Sequence, residues 1–483
     1  MHEAKGFMVD KMSGAPGYCQ SVLTVTGCFF QKGTLFMNTN ANRLYAEMPP
    51  VKLFFKAAIP GVIGMFAMSI YNIIEGIFVG QFIGGDAFAA MNLAMPLVMI
   101  NFALADMIGV GSSVPISIAL GQKDEERACN IFSCAVLLII AASALTGTVM
   151  FAFAPQIIHA MGAEDRVAEL AITYLRIAAV MGPLANLVFA MDNFLRISGF
   201  VRGSMLLNLG MSGLQIGLLI LLVAVLEQGL VGSALSINIG FSVCALIALI
   251  PFFLGKSVLK FRKPKLTLQM LKKIAACGSP TFLNNIAGRL FSLVMNVLLL
   301  RMGGTPAVST FAVLMYSSDL VQPMLYGICD SMQPAIGYNW GAESYKRVKA
   351  LAKCVFTATA VVSGIAILLM SGFPRQIVSV FVDKDETALL DMATRALQLF
   401  SVEFFFWWFG YSTQSFYNAI EKPKNAAILT LSTAIVFPLI MVAVLWPLGL
   451  DGLWLNQAAT YVPVGIIAFF MLRKTQTSLR PCM

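Results

Sequence analysis

The sequence predicts an all-α polytopic membrane protein with twelve transmembrane helices in two six-helix bundles. These form a parallel internal repeat with a pseudo-two-fold axis along the membrane normal. Three observations carry the prediction: an extreme apolar composition, twelve apolar stretches of spanning length, and self-similarity at a constant shift of 220 residues.

The 483 residues are 58% hydrophobic and only 12% charged, against roughly 45–50% and ~25% in soluble proteins. The apolar stretches follow one another with almost no polar sequence between them, so no independent water-soluble core can form. Crossing ~30 Å of hydrocarbon takes about 20 helical residues. Twelve such stretches occur, the first near Phe54 and the last near Gly452. Their length and the absence of apolar/polar alternation exclude membrane-barrel strands.

At the 220-residue shift Pro60 meets Pro280, Gly84 meets Gly304, Gly121 meets Gly341, Arg127 meets Arg347 and Gly229 meets Gly449, without a gap. Apolar segments match one another trivially, whereas glycine, proline and arginine do not. The chain therefore reads as a tandem duplication. The expected division is an amino-terminal extension over 1–47, one bundle over 48–255 and a basic linker over 256–273. A second bundle follows over 274–474 and a tail over 475–483. Six helices per unit make the repeats parallel. Residues 1–47 lack the apolar core of a signal peptide; they read as disordered, or as a leader preceding a true start at Met37.

Lysine and arginine concentrate in alternate loops, at Lys52, Lys123, Arg127, Arg196, Arg202, Lys346, Arg347, Lys422 and Lys424 and in the linker. The opposite loops carry Arg166, Arg301, Arg375 and Lys384. This bias places both termini in the cytoplasm of a cell whose inner (plasma) membrane holds the chain. It also accounts for the +9 charge, through topology and anionic membrane lipids, without nucleic acid. Nine scattered cysteines and two histidines offer no metal-ligand spacing, so no metal and no bound cofactor are expected. A monomer is expected.

Five stretches then point to a known group: "AIPGVIGMFAMSIYNIIEGIFVGQ" (57–81), "LGQKDEERA" (120–128), "NFLRISG" (193–199), "MQPAIGYNWGAESYKRV" (332–348) and "GLDGLWL" (449–455). On these the chain resembles the multidrug and toxic compound extrusion (MATE) transporters, in the bacterial DinF- and MepA-like branch. The resemblance implies two lobes and export of mostly cationic, amphipathic drugs in exchange for protons or sodium ions.

Secondary transport needs a group whose charge or cation occupancy changes between access states, and a carboxylate embedded in hydrocarbon is such a group by default. Glu75, fifteen residues past Pro60, is the leading cation-coupling candidate. It matches the position where MATE proteins usually carry an Asp. The alternative is a glutamate that merely bonds within a polar bundle interior. Tyr71, Asn72, Gln215 and Ser236 are the polar residues expected beside it. The second acid that many relatives carry in helix five falls at Leu219 and the usual helix-six threonine at Ile237. This departure weakens a sodium site, which needs several oxygen ligands, and favours protons. Pro60 removes a backbone hydrogen bond and is the candidate hinge, a first-turn proline being the alternative.

Other charges lie inside apolar runs: Asp106, Arg289, Asp319, Asp330 and Glu403. Arg289, taken as the one deep base, is expected to pair with Glu403 or Asp330. Such a pair either fixes helix packing or serves cation binding, with Glu403 a secondary coupling candidate. The run from Phe404 to Phe409 and the 28 methionines suit a pliable cavity for apolar cations, or a lipid-facing surface.

The favoured function is a cation-coupled antiporter exporting amphipathic organic cations by alternating access. Alternatives are a lipid-linked oligosaccharide flippase, which needs a cationic cavity for pyrophosphate, and a metabolite exporter of the same superfamily. An enzyme is not expected, since no nucleophile elbow, P-loop or metal-binding carboxylate motif occurs.

Overall fold

A computed structural model describes residues 41, 43–79, 83–163, 165–382 and 386–479. Within hydrocarbon every backbone N–H and C=O must be satisfied inside its own segment. The described residues accordingly fold into helices joined by short turns, apart from an irregular linker over 254–267 between the halves. These are α1 (Pro50–Phe78), α2 (Gly85–Gly121), α3 (Glu125–Ala160), α4 (Asp165–Ala185), α5 (Leu187–Ile197), α6 (Val201–Leu219) and α7 (Gly229–Phe253). The second half contains α8 (Leu268–Ser318), α9 (Gln322–Gly341), α10 (Tyr345–Gly372), α11 (Pro374–Val378), α12 (Thr387–Ser401) and α13 (Glu403–Ala419). It ends with α14 (Pro423–Leu431), α15 (Phe437–Leu445) and α16 (Leu450–Leu479).

Helices and membrane passes do not correspond one to one. The pair α4 and α5 makes one pass, as does α14 with α15, and α12 and α13, separated only at Val402, are read as another. The 51-residue α8 contains two segments, because Gly304 adopts φ 66° and ψ −161° and reverses the chain. Residues 268–303 form the seventh pass, and 305–341, broken at 319–321, form the eighth. The expected twelve passes result.

The duplication is visible in the backbone as well as in the sequence. Left-handed conformations recur 220 residues apart at Gly84 and Gly304 (φ 108° and 66°), Lys123 and Glu343 (62° and 55°), and Gly229 and Gly449 (57° and 62°). Two of these pairs are glycines, which reach positive φ without a Cβ penalty.

The lobes touch where α8 crosses α2, where α9 crosses α1, and between α2 and α9. Glycines make this approach possible. A Cβ on Gly121 would overlap the Tyr338 carbonyl, on Gly341 the Ile118 carbonyl, on Gly278 the Met107 carbonyl and on Gly327 the Val62 backbone. Gly121, Gly278 and Gly341 sit in the halves of their helices nearest the lysine- and arginine-rich loops, here termed the basic end, and Gly327 lies nearer the middle of its pass. Small residues that let backbones approach are the usual adhesive between helices in lipid. In the opposite halves Gly76 and Gly288 have open space around them.

The buried apolar residues divide in the same way. One core runs through both lobes at the basic end, joining Phe54, Ile116 and Leu207 to Met332, Tyr338 and Leu351. At the other end the core splits into one around Ala90, Tyr174 and Leu230, and another around Met295, Leu325 and Trp454. The body is thus fused at the basic end and cleft at the other.

Of the expected 1–47 extension, residues 1–40 (with Met37) and 42 lie outside the described residues, as do Lys384 and 480–483. Ala41, Leu44 and Tyr45 are not an appendage: all three are buried, Tyr45 to 1% exposure, in the core shared by the lobes. Helix α16 continues through most of the expected tail, and Thr475 bonds Tyr417 across 3.0 Å.

Candidate transport site

Two groups of polar side chains lie in the apolar body, one inside the first lobe and one between the lobes. Helix α1 runs unbroken through Pro60 from Pro50, so this proline is internal and the first-turn alternative fails. Fifteen residues on, Glu75 is 4% exposed. Ser233 of α7 donates its hydroxyl to Glu75 Oε1 at 3.0 Å. Tyr71, one turn earlier on α1, is buried with its hydroxyl between Glu75 and Ser236, and Tyr174 of α4 lies near Tyr71 and Glu75. An ionised carboxylate with so few donors is costly in hydrocarbon.

The other residues expected around Glu75 divide. Ser236 is fully buried beside Tyr71, with its hydroxyl donated to the Ser233 carbonyl at 2.8 Å. Gln215 is also buried, but donates to the Ile237 carbonyl at 3.3 Å and packs against Gly240. Asn72 is exposed, because its position on α1 turns it away from the lobe interior. The pseudo-equivalent of Glu75 is Met295, buried and apolar.

Between the lobes lies a cavity of about 320 Å³. Three carboxylates face it: Asp106 from α2, Asp192 from α5 and Asp330 from α9. Asp106 accepts from Asn285 Nδ2 of α8 at 3.1 Å, a bond across the interface. Asp330 accepts from Gln333 at 2.9 Å and from the Tyr411 hydroxyl at 3.3 Å. Met65, Met68, Phe102, Phe189 and Tyr326 supply the apolar wall, a lining that adapts to ligand shape.

The pairing expected for Arg289 is overturned. Arg289 is exposed on α8 and faces Asp319, at neither Glu403 nor Asp330. The deep base is Arg196, expected in a basic loop but 2% exposed at the end of α5. It forms an i,i+4 ion pair with Asp192, donates to Ser204 Oγ at 2.9 Å and to Ser331 Oγ of the other lobe at 3.4 Å. Asp192 additionally accepts from the Ser204 hydroxyl and from Asn208 Nδ2 at 2.9 Å. Neither Asp192 nor the burial of Arg196 was foreseen; the i,i+4 spacing of opposite charges was the available signal.

Glu403, 5% exposed, faces a separate cavity of about 110 Å³ in the second lobe. Tyr326, Tyr411 and Gln414 line both cavities. Of the aromatic run Trp407 lines this cavity, while Phe405 is 62% exposed.

Comparison with known proteins agrees with this architecture. The family described as MatE matches residues 60–221 and 280–444, once in each repeat. The multidrug export protein MepA of Staphylococcus aureus strain N315 is 26% identical over 404 residues, covering 82% of this chain and 88% of MepA. MepA of Staphylococcus saprophyticus is 25% identical over 403 residues, with 82% and 87% covered. Among solved structures, a MATE in complex with MaL6 superposes with a TM-score of 0.87 at 22% identity, covering 92% of this chain and 99% of the other. An outward-facing MATE transporter of the MOP superfamily gives 0.84 at 23% identity, with 91% and 98% covered. With one family matching both repeats and the chain sharing the fold of solved MATE structures, the chain belongs to the MATE family of multi-pass membrane transporters, which are not enzymes.

Proposed function

We propose that the protein is a cation-coupled antiporter, using protons rather than sodium ions, that exports amphipathic organic cations by alternating access. The observation that carries the reading is the cavity between the lobes, where Asp106 and Asp330, beside the Asp192–Arg196 pair, face an aromatic and methionine wall. Such a surface suits a bulky cation of low charge density. The name of the MepA relatives, multidrug export protein, supports export of small molecules of more than one kind.

Glu75 is the coupling residue in this reading. Its partner set is small, with one donated hydroxyl from Ser233 and the Tyr71 hydroxyl beside it. A carboxyl so placed exchanges a proton without further ligands, whereas sodium needs several oxygens. Glu403 is a secondary acid, and Pro60 the hinge of α1. The lysine- and arginine-rich loops put the basic end and both termini in the cytoplasm of a plasma membrane. On that orientation the structure is closed to the cytoplasm. The flippase reading is disfavoured, because Arg196, the one buried base among the described residues, is already neutralised by Asp192.

Reconstitution tests this proposal. Vesicles containing the protein should move a fluorescent lipophilic cation against its gradient when a proton gradient is imposed, and no faster with added sodium. Movement that follows a sodium gradient and ignores pH would overturn the coupling assignment.

A further inference from the structure

The short segment ahead of α1 bridges the two lobes. Tyr45 donates its hydroxyl to the carbonyl of Arg196 in the first lobe. Its own carbonyl accepts from Asn339 Nδ2 at 3.1 Å and Arg347 Nη2 at 2.9 Å, both in the second lobe. The same Arg347 nitrogen donates to the Met48 carbonyl at 2.7 Å, and the Tyr45 ring lies 5.8 Å from that of Tyr338. Burial raises the pKa of the Tyr45 hydroxyl, with Arg196 opposing, so it stays protonated and able to donate.

The repeat supplies a counterpart. Shifted by 220, the segment falls on the linker just ahead of α8. There Lys265 N–H donates to Asn130 Oδ1 at 2.8 Å, Asn130 Nδ2 donates back to the Lys265 carbonyl at 3.1 Å, and Arg262 N–H donates to Ser133 Oγ at 2.9 Å. Asn130 and Ser133 lie on α3, the pseudo-equivalent of the α10 that carries Arg347. Each lobe's leading segment is therefore held by the third helix of the opposite lobe, and both crossings are at the basic end.

Alternating access requires the lobes to part at this end. Glycine-mediated packing weakens gradually as helices separate, whereas hydrogen bonds are directional and fail within about 1 Å of stretch. We propose that residues 43–48 and 260–265 are a pair of exchanged straps that latch the basic end shut. Tyr45, bonded to both lobes at once, is the residue whose release permits opening toward the cytoplasm. The latch sets the balance between the two access states and lies outside the ligand cavity.

Hydrogen–deuterium exchange on the full chain in detergent tests this, comparing wild type with Tyr45→Phe and Arg347→Lys. Tyr45→Phe keeps the ring and removes only the bond to the Arg196 carbonyl. Loss of a net hydrogen bond at the closed end should raise amide exchange in 107–121 and 331–341, where the lobes meet, by about threefold to tenfold. The melting temperature should change little. If Tyr45→Phe does not yield folded protein, Arg347→Lys and Asn130→Ala carry the comparison. Faster exchange confined to 43–48 would show a local anchor and overturn the proposal, as would unchanged exchange in folded variants.

Discussion

Asp192→Asn isolates the buried charge between the lobes. In the native protein the Asp192 carboxylate accepts from Arg196, from the Ser204 hydroxyl and from Asn208, while Arg196 is 2% exposed. The amide keeps the shape but removes the counter-charge, and its NH₂ faces either Arg196 or the Ser204 and Asn208 donors, depending on which way it turns. Leaving one member of a buried pair uncompensated costs about 3–5 kcal/mol. For a chain of this size that corresponds to a fall in melting temperature of about 3–10 °C. The assay is thermal unfolding of purified protein in detergent. A companion variant, Asp192→Asn with Arg196→Met, removes both charges and should recover most of the loss, since replacing a buried pair by apolar groups is often neutral. If Asp192→Asn melts within ~1 °C of wild type, the Arg196 charge is solvated or paired elsewhere, and the network as described is wrong.

Other outcomes follow from the same geometry. Gly278→Leu places a side chain into the Met107 backbone. It should prevent the basic end from closing, so that efflux is lost while the protein still extracts in folded form; undiminished efflux would contradict the closed-end contact. Asp106→Asn leaves Asn285 bonded but removes a charge from the cavity, and should weaken binding of a lipophilic monocation by about tenfold, read by fluorescence anisotropy. Arg289→Ala and Asn72→Ala concern exposed side chains. Both should retain wild-type transport and melt within ~2 °C of it, the ordinary range for surface changes; a large loss at either would mean that the residue acts in a state other than this one.

What the sequence revealed, and what it hid, can be traced to particular residues. The passes and the repeat were readable because helix length in lipid and the pairing of Gly84 with Gly304 or Arg127 with Arg347 are one-dimensional signals. The break at Gly304 was readable too, because Arg301 and the match to Gly84 mark a loop there, although helical backbone runs up to it from both sides. Glu75 and Asp330 were found because an acid in an apolar run is conspicuous. Hydropathy averages around the helix, however, so it could not tell that Arg289 and Asn72 face outward while Tyr71 and Glu75 face inward. Arg196 failed in the opposite sense. A base at a helix end reads as a topology signal, and only the approach of Ser331 from the other lobe and the tyrosine ahead of α1 bury it. Tyr45 itself stands in a stretch of mixed polarity with no periodicity to mark it. Contacts between repeats are invisible to any window that reads one segment at a time.

The central claim is that Glu75 exchanges a proton against the cationic substrate. It is tested most directly by counting protons released when a lipophilic cation binds purified protein, using calorimetry in buffers of different ionisation enthalpy. The account predicts release of a substantial fraction of one proton by wild type near neutral pH, abolished in Glu75→Gln with cation binding retained. Equal release by the two proteins would place the exchanging proton elsewhere and contradict the account.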